Sequence, residues 1–540
     1  MIRTNKRWPG WIAPLFFLAY LVLGLSIVGD YGISWDEALQ RRHGQISVDH
    51  IIDQFGLPWE KTFDNVALKS APGRQYSVLF SGTCDLLERA FGIKADFRKS
   101  YRLRHTMVFL VFWLGTIFFY KTLHRRFQHI GIALLGTLFL ILSPRIFAHS
   151  FYNPKDIILL AFYMVSSYTM IRFLETRQVR YALAHALGSA LVINARMPGL
   201  IIPALTILLV LLDLIQNRFA KRVYWAYAKS LSIYMVAGTL LTIMFFPYLW
   251  LKPVANSVES FQLMAHFPFG SDVLYRGEFF NTWELPWHYI PTWLGISIPP
   301  LYLLLFAGGF YLASQQLFGH LRQLTFWSDQ ESLYNLAFLG LFTGPLAAVY
   351  ILDSHLYDGW RQLYFTYAPF LLLGMIALVK LVRSSNRYLR FVTWLAVVIG
   401  LSSTLGFMLK NHPNQQVYFN FLAGEDIHER YEMDYWGVGY RPAFKRLVEK
   451  HEGEFPIHVY CANEPCYQNF KYLPEVLKSK IRIRWGDDVA VYMLSNFRFP
   501  KEYNRFMEGV YPYHEPVDFI EVGGEKAIGI FKLREEPVIR

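Results

Sequence analysis

Eleven long apolar segments, joined mostly by short polar connections, are the feature that most constrains this chain. Because a helix rises about 1.5 Å per residue, roughly 20 apolar residues cross a hydrocarbon core about 30 Å thick. Of the 540 residues, 54% are hydrophobic and only 17% are charged, which is too apolar for an ordinary soluble enzyme. The sequence therefore predicts a polytopic α-helical membrane protein with about 11 transmembrane helices.

The first segment runs from Trp11 to Gly29 and has no small-residue cleavage site after it, so we expect a retained anchor. The remaining segments lie at about 106–120, 130–142, 157–174, 181–193, 230–251, 291–313, 335–352, 363–379 and 392–408, with one more that ends before Arg218. Pro299 and Pro300 fall inside one of them and predict a kink there.

Basic residues are distributed unevenly among the connections between the apolar segments. The formal net charge of +12 would suggest nucleic acid in a soluble protein, but residues 411–540 carry 17 Lys and Arg against 20 Asp and Glu. The positive excess therefore belongs to the membrane part, where it clusters on every second connection, as the positive-inside rule requires. We expect the N-terminus, with Arg3, Lys6 and Arg7, in the cytoplasm, residues 411–540 outside, and no nucleic-acid partner.

Two regions follow from this pattern. Residues 1–410 form the membrane module, which includes a long first outer loop at 30–104, and residues 411–540 form an extracytoplasmic α/β domain. Short strands are expected in that domain at about 458–460, 481–485, 489–493 and 528–533, and helices at 442–450 and 474–479. A disulfide between Cys461 and Cys466 is plausible there, whereas Cys84 stands alone.

An acidic pair, Asp36 and Glu37, stands directly after the first apolar segment. A charge left in hydrocarbon costs several kcal/mol, so both carboxylates must lie at the water interface or in a polar cavity. A solvated pair that caps a helix starting at Ser34 explains them as well as a catalytic site does.

Further polar and charged residues fall at the outward ends of the predicted helices. Any single Arg or Lys there could simply extend its charge to the interface. Several such cations on the face that the positive-inside rule should deplete favour function, because Arg and Lys bind phosphate oxygens while a carboxylate serves as a base. The predicted substrate-binding residues are Arg145, His149, Asn153, Lys155, Arg196, Asp358 and Arg361, and the predicted catalytic residues are Asp36, Glu37 and Asp156.

The order of several motifs resembles bacterial integral-membrane glycosyltransferases of the GT-C superfamily, in particular those grouped with protein O-mannosyltransferases and the lipid A aminoarabinose transferase. The resemblance covers essentially the whole chain. It is carried by the acidic pair at 36–37 and by the motifs Pro144–Asp156, Asn194–Gly199, Leu356–Arg361, His412–Asn420 and Asp434–Gly437.

This resemblance implies a polyprenyl-phosphate sugar donor, an inverting transfer, and a glycan, lipid or protein acceptor outside a bacterial cytoplasmic membrane. It implies that Asp36 activates the acceptor, with Glu37 as its neighbour, and that Asp156 is a second acidic site. By chemistry and position, Lys155, Arg196 and Arg361 would contact the donor phosphate. No dense cluster of His and carboxylate residues is present in the sequence, so we expect no catalytic metal or other cofactor.

Two other functions remain open at this stage. A transporter or flippase for an anionic lipid would place its charges near the middle of the bilayer and often shows repeated halves, neither of which is visible here. A non-catalytic assembly protein would leave the cations at the outward helix ends unexplained.

The predicted topology can be checked with reporter fusions after Arg387 and after Glu425. Because the last apolar segment lies between them, the two fusions should report opposite sides of the membrane. If both report the same side, one span must be removed from the prediction and the charged helix ends no longer share a face.

Overall fold

The computed structural model describes residues 9–265 and 270–536. The prediction for Arg3, Lys6 and Arg7 therefore lies outside the described residues. The first 410 residues form seventeen helices: α1 (Ile12–Ile27), α2 (Trp35–Phe55), α3 (Leu79–Ala90), α4 (Phe97–Phe127), α5 (Ile130–Ile141), α6 (Pro144–Tyr152), α7 (Asp156–Thr176), α8 (Val179–Ala195), α9 (Ile201–Gln216), α10 (Lys221–Met244), α11 (Pro247–Leu251), α12 (Pro253–Ala265), α13 (Tyr289–Ser297), α14 (Pro300–Arg322), α15 (Gln330–Ile351), α16 (Tyr367–Val382) and α17 (Arg387–Lys410), in the described ranges.

A helix lies at each of the eleven predicted apolar positions. By length and composition, eight helical stretches in the described ranges can cross a membrane, and nine if α5 and α6, which meet at 71°, are one broken span. Helix α1 is apolar but shorter, and α8 has 17 residues. The predicted polytopic helical fold is confirmed.

Two predicted segments differ in detail. The segment predicted at 291–313 is two helices, α13 and α14, because Ile298 and Pro299 adopt extended backbone angles and break the helix. The two prolines thus produce a break where we expected a kink, since a proline lacks the amide hydrogen that would continue the helix. The segment predicted at 130–142 continues past its end into the bent α6.

The first loop is built on buried ion pairs. Helices α2 and α3 pack on each other and on the start of α4. Arg89 joins Asp49 at 2.8 Å and Asp85 at 2.7 Å, while Glu88 accepts from both Arg41 and Arg104. Paired in this way, the buried charges avoid the large penalty of an isolated one, and they fix how the loop covers the helix bundle.

The C-terminal part contains a five-stranded mixed sheet in the order β4-β3-β5-β7-β6, where β1 and β2 name a separate hairpin between α12 and α13. The pairs β3·β4 and β3·β5 are parallel, whereas β5·β7 and β7·β6 are antiparallel. The strands are β1 (Asp272–Tyr275), β2 (Glu278–Asn281), β3 (Ile457–Cys461), β4 (Ile481–Arg484), β5 (Tyr492–Ser495), β6 (Pro516–Val522) and β7 (Glu525–Lys532). The helices are α18 (Ile427–Arg430), α19 (Tyr440–Lys450), α20 (Glu464–Tyr472), α21 (Glu475–Lys478) and α22 (Pro500–Glu508).

The predicted disulfide is present, and it ties the end of β3 to α20 through Cys461 and Cys466. Strand β6 and the β1·β2 hairpin were not predicted. β6 begins with Pro516 and has charged, partly exposed positions, so its alternation of apolar and polar residues is weak.

The segment between α17 and α19 returns to the helix bundle. The side chain of Asn420 donates to the carbonyl oxygens of Gly295 and Ile298, at 2.6 and 2.7 Å. The carbonyl of Trp436 accepts the amide of Trp35 at 3.1 Å. Residues after 410 thus contribute to the same end of the bundle as the first loop.

Candidate active site

The backbone that leads into α2 is held by hydrogen bonds to a side chain of the C-terminal domain. The buried amide side chain of Asn469 on α20 accepts the N–H of Ile33 at 2.9 Å and donates to the Ile33 carbonyl at 2.8 Å. Gly32 fits against this side chain and the Val438 carbonyl, where a Cβ atom would overlap both. This double contact sets the direction in which the chain enters α2, and so the position of Asp36.

Glu37 caps α2 and does not join Asp36. One carboxylate oxygen accepts the backbone N–H and the hydroxyl of Ser34, at 2.7 and 3.0 Å, which completes a capping box. The other oxygen pairs with His105 Nε2 at 2.8 Å. Both oxygens have partners and the side chain is buried, so the structure places Glu37 in the cap of α2, and its catalytic role stays a prediction.

Asp156 begins α7 and lies between two guanidinium groups. Its carboxylate pairs with Arg196 and, at 3.1 Å, with Arg361. Asn153 orders the turn before it, because the Asn153 side-chain oxygen accepts the backbone N–H groups of Lys155 and Asp156 at 3.1 and 2.8 Å. Asn153 also donates to the Asp156 carboxylate at 3.1 Å. The loop that the sequence singled out is thus a rigid holder for this carboxylate.

Arg361 lies at the centre of a cluster of charged side chains, which consists of Asp36, Lys155, Asp156, Arg196, Asp358, Arg361 and Arg498. It is buried and contacts three carboxylates, Asp358 at 3.0 Å, Asp156 at 3.1 Å and Asp36 at 3.4 Å. The rings of Tyr357 and Trp436 lie 4.7 and 4.9 Å from its guanidinium carbon, in the range of a cation–π contact.

Arg498, from the C-terminal domain, is a member of the cluster that the sequence did not predict. It donates to Asp358 at 2.8 Å and to the Tyr435 carbonyl at 2.7 Å, and it stacks on the ring of Trp35. Burial alone would raise the pKa of Asp358, but Arg498 and Arg361 lower it below its usual value. The sequence signal for Arg498 is indirect. Arg498 contacts the motif Asp434–Gly437, which was singled out because it resembles GT-C glycosyltransferases.

The cluster has an excess of positive charge. Four cations, Lys155, Arg196, Arg361 and Arg498, face three carboxylates. Burial, and then the Asp358 charge, raise the pKa of nearby Glu432 above its usual value. Buried cations in excess of their partners are unfavourable unless an anion completes the site.

Lys155 is the cation of this cluster without a carboxylate within salt-bridge distance in the described part of the chain. Its ammonium lies 4.3 Å from the ring centre of Tyr76. Burial is the main effect that lowers the pKa of Lys155, to about 8. The positive charge of Arg196 lowers this pKa further, whereas the negative charge of Asp36 raises it.

Two predicted binding residues lie outside the ion network. Arg145 is held between the rings of Trp293 and Phe419 and donates to the Tyr418 carbonyl at 2.9 Å. His149 faces Asn153 at 3.1 Å and the hydroxyl of Tyr364 at 3.3 Å. Arg145 is thus placed as a brace between the bundle and the segment after α17, and His149 as a buried support for Asn153.

An apolar cavity of about 300 Å³ ends at this cluster. Arg196, Tyr76 and Tyr357 lie at its polar end. Its walls come from the start of α9, the end of α15 and the segment that follows α15, and they include Leu200, Ile201, Ala204, Val349, Leu352 and Leu356. The cavity can hold an apolar chain whose charged end reaches Arg196.

Within residues 9–265 and 270–536, no group of three or more His, Cys, Asp or Glu side chains is arranged to hold a metal ion. The three carboxylates of the cluster are each paired with arginine. The absence of a catalytic metal or cofactor stays a prediction.

Comparisons with known proteins give one family match and several similar solved structures. The family model described as oligosaccharyl transferase STT3, N-terminal, matches residues 99–306. A sequence comparison with curated proteins finds no match. The family match confirms the resemblance that the sequence motifs indicated.

Several solved structures are similar to this chain at low identity. ArnT from Cupriavidus metallidurans, bound to undecaprenyl phosphate, has 12% identity and a TM-score of 0.48, with 96% of this chain and 98% of that chain covered. AglB from Archaeoglobus fulgidus, in complex with an inhibitory peptide and a dolichol-phosphate, has 10% identity and a TM-score of 0.46, with 90% and 70% covered. The mycobacterial arabinofuranosyltransferase AftD has 11% identity and a TM-score of 0.42, with 98% and 42% covered. Similarity at this level indicates nothing about substrate.

The contribution of Arg498 can be tested with Arg498→Gln in the full chain. Removing one partner of a buried ion pair costs about 3–5 kcal/mol, so the thermal unfolding midpoint in detergent should fall clearly. Arg505→Gln changes an exposed arginine of α22 and should leave the midpoint unchanged. The double variant Arg498→Gln with Asp358→Asn should recover part of the loss. Equal midpoints for both single variants would show that the Arg498 contact is energetically unimportant.

Proposed function

We propose that this chain, whose membrane part is of the GT-C glycosyltransferase type, transfers a sugar from a polyprenyl-phosphate donor to an acceptor at the outer face of a bacterial cytoplasmic membrane. The observation that supports this best is the cation-rich cluster at the end of an apolar cavity, with one accessible carboxylate in it. The apolar cavity suits the hydrocarbon chain of an anionic lipid, and the cation-rich cluster suits its charged end.

The donor lipid lies in the cavity between α9 and α15, with its phosphate at Arg196 and Lys155. Arg196 lines the cavity, and Asp156 holds its guanidinium in place. Lys155 lies beside Tyr76, which lines the same cavity. Arg and Lys together neutralise the charge that develops on a leaving phosphate, which is the main electrostatic demand of this reaction.

Asp36 is the base. Its side chain is 18% exposed, against 1% for Asp156 and 2% for Asp358. Among the described residues its one ion pair, to Arg361, is the longest of the cluster at 3.4 Å, whereas Asp156 and Asp358 each pair with two arginines. Of the three carboxylates, Asp36 is the most exposed and has the fewest ion-pair partners in the described ranges, so it is the one that an acceptor can reach.

The transfer is a single displacement. The acceptor oxygen attacks the anomeric carbon while Asp36 takes the proton of the acceptor hydroxyl. The bond from the anomeric carbon to the phosphate oxygen breaks, and its electron pair leaves with the polyprenyl phosphate, which Arg196 and Lys155 stabilise. Attack opposite to the leaving group inverts the configuration. We assign positioning roles to Asp156, predicted above as a second catalytic acid, and to Arg361, predicted above as a phosphate contact, because ion pairs within the cluster hold both side chains.

Asp36→Asn tests the base. Because an amide keeps the shape but cannot accept the proton, transfer should fall by about 10²–10⁴-fold while donor binding survives. The measurement is mass spectrometry of envelope glycans and glycolipids from cells with the wild-type chain, without it, and with the variant. A sugar lost in the absence of the chain should also be lost with Asp36→Asn.

Asp30→Asn is the matched control, since Asp30 lies in the same segment, is exposed and pairs with His412 outside the cluster. It should keep the sugar. Normal glycans with Asp36→Asn would remove Asp36 as the base. Normal glycans in cells without the chain would contradict the proposed function itself.

Arg196→Lys tests the donor phosphate site. Lysine retains the charge but loses the bidentate geometry, so affinity for a polyprenyl monophosphate should weaken by about 1–3 kcal/mol, a factor of roughly 5 to 150. Arg180→Lys, at the far end of the bundle, should bind like the wild type. Binding to the purified full chain is measured by titration with the lipid, and equal affinity in both variants would place the phosphate elsewhere.

A further inference from the structure

A second large cavity, of about 630 Å³, lies at the opposite end of the helix bundle. It is formed where α4, α14 and α16 end and α15 begins. The stretch Arg361–Val382 starts in the catalytic cluster, is 22 residues long and contributes Ile376, Val379 and Lys380 to this cavity near its end. At about 1.5–2 Å per residue that is more than 30 Å, so the cavity belongs to the other membrane leaflet.

Cations dominate the polar lining of this cavity. Arg126, Lys380 and Arg383 line it, against one acidic residue, Glu331. Arg126 is almost fully buried and pairs with Glu331 at 2.7 Å. Lys380 and Arg383 are exposed and form no ion pair with any carboxylate in the described ranges. Two positive charges are therefore left for a ligand.

Neutral hydrogen-bonding groups are ordered behind these charges. The Asn335 oxygen accepts from Arg126 at 3.1 Å, and its nitrogen donates to Gln316 at 2.6 Å. This chain of contacts ties the ends of α4, α14 and α15 together. The polar wall is thus preformed, while Phe127, Ile376 and Val379 supply an apolar wall on the side of the bundle.

We infer that this cavity binds the phosphate headgroup of an anionic membrane lipid in the leaflet opposite the catalytic cluster. A phosphate satisfies Lys380 and Arg383, and the acyl chains follow the apolar wall toward the bilayer. Basic cavities between transmembrane helices suit such headgroups, because each Lys or Arg near the surface adds attraction for anionic lipid. The site is distinct from the donor site, which the cavity at Arg196 serves.

Native mass spectrometry of the purified full chain tests this inference. Phosphatidylglycerol should remain bound in preference to phosphatidylcholine with the same acyl chains. The double variant Lys380→Gln with Arg383→Gln should weaken phosphatidylglycerol binding by about 10- to 30-fold. Both residues are exposed and lack ion-pair partners in the described ranges, so the fold should tolerate the change.

The control is Lys221→Gln with Arg222→Gln, which removes the same charge from exposed residues at the start of α10, away from the cavity. It should bind phosphatidylglycerol like the wild type. An equal loss in both double variants, or no preference for phosphatidylglycerol, would reduce the effect to general surface charge and overturn the inference. Displacement of the bound lipid by millimolar inorganic phosphate would overturn the lipid headgroup as the ligand and leave a site for free phosphate.

Discussion

The buried guanidinium of Arg361 is the interaction on which the functional end of this protein depends. A charge taken out of water costs several kcal/mol unless it is well paired, so Arg361 requires all three of its carboxylates. These come from the start of α2, the start of α7 and the segment after α15. Three regions far apart in the sequence must therefore meet at one point.

The C-terminal domain is part of this arrangement. Arg498 supplies the second cation of Asp358, Trp436 covers Arg361, and Asn469 holds the backbone that leads to Asp36. The disulfide at Cys466 anchors the same helix that presents Asn469. The domain thus shields much of the cluster from water, which strengthens the charge interactions there, while Asp36 stays partly exposed.

Adjacent acidic residues of one motif have different uses here. One oxygen of Glu37 caps α2 and the other pairs with His105. Asp36, one residue earlier, faces the cluster and contacts Arg361 at 3.4 Å. Successive side chains on a helix point about 100° apart, and here that difference directs Glu37 to the cap and Asp36 to the cluster. The catalytic role of Asp36 is the proposal.

The sequence by itself determined the membrane-spanning class, the eleven helix positions, the sheet-containing C-terminal part and the resemblance to GT-C glycosyltransferases, because apolar length and charge alternation are local signals. It also located Asp36, Asp156, Lys155, Arg196 and Arg361 at one set of helix ends. The sequence did not determine which of these side chains form ion pairs or other contacts with each other. Arg145 is stacked between rings, Pro299 and Pro300 break a helix, and Arg498 enters from the C-terminal domain. Only the tertiary structure decided these points, since an ion pair between residues 140 positions apart leaves no periodicity in the sequence.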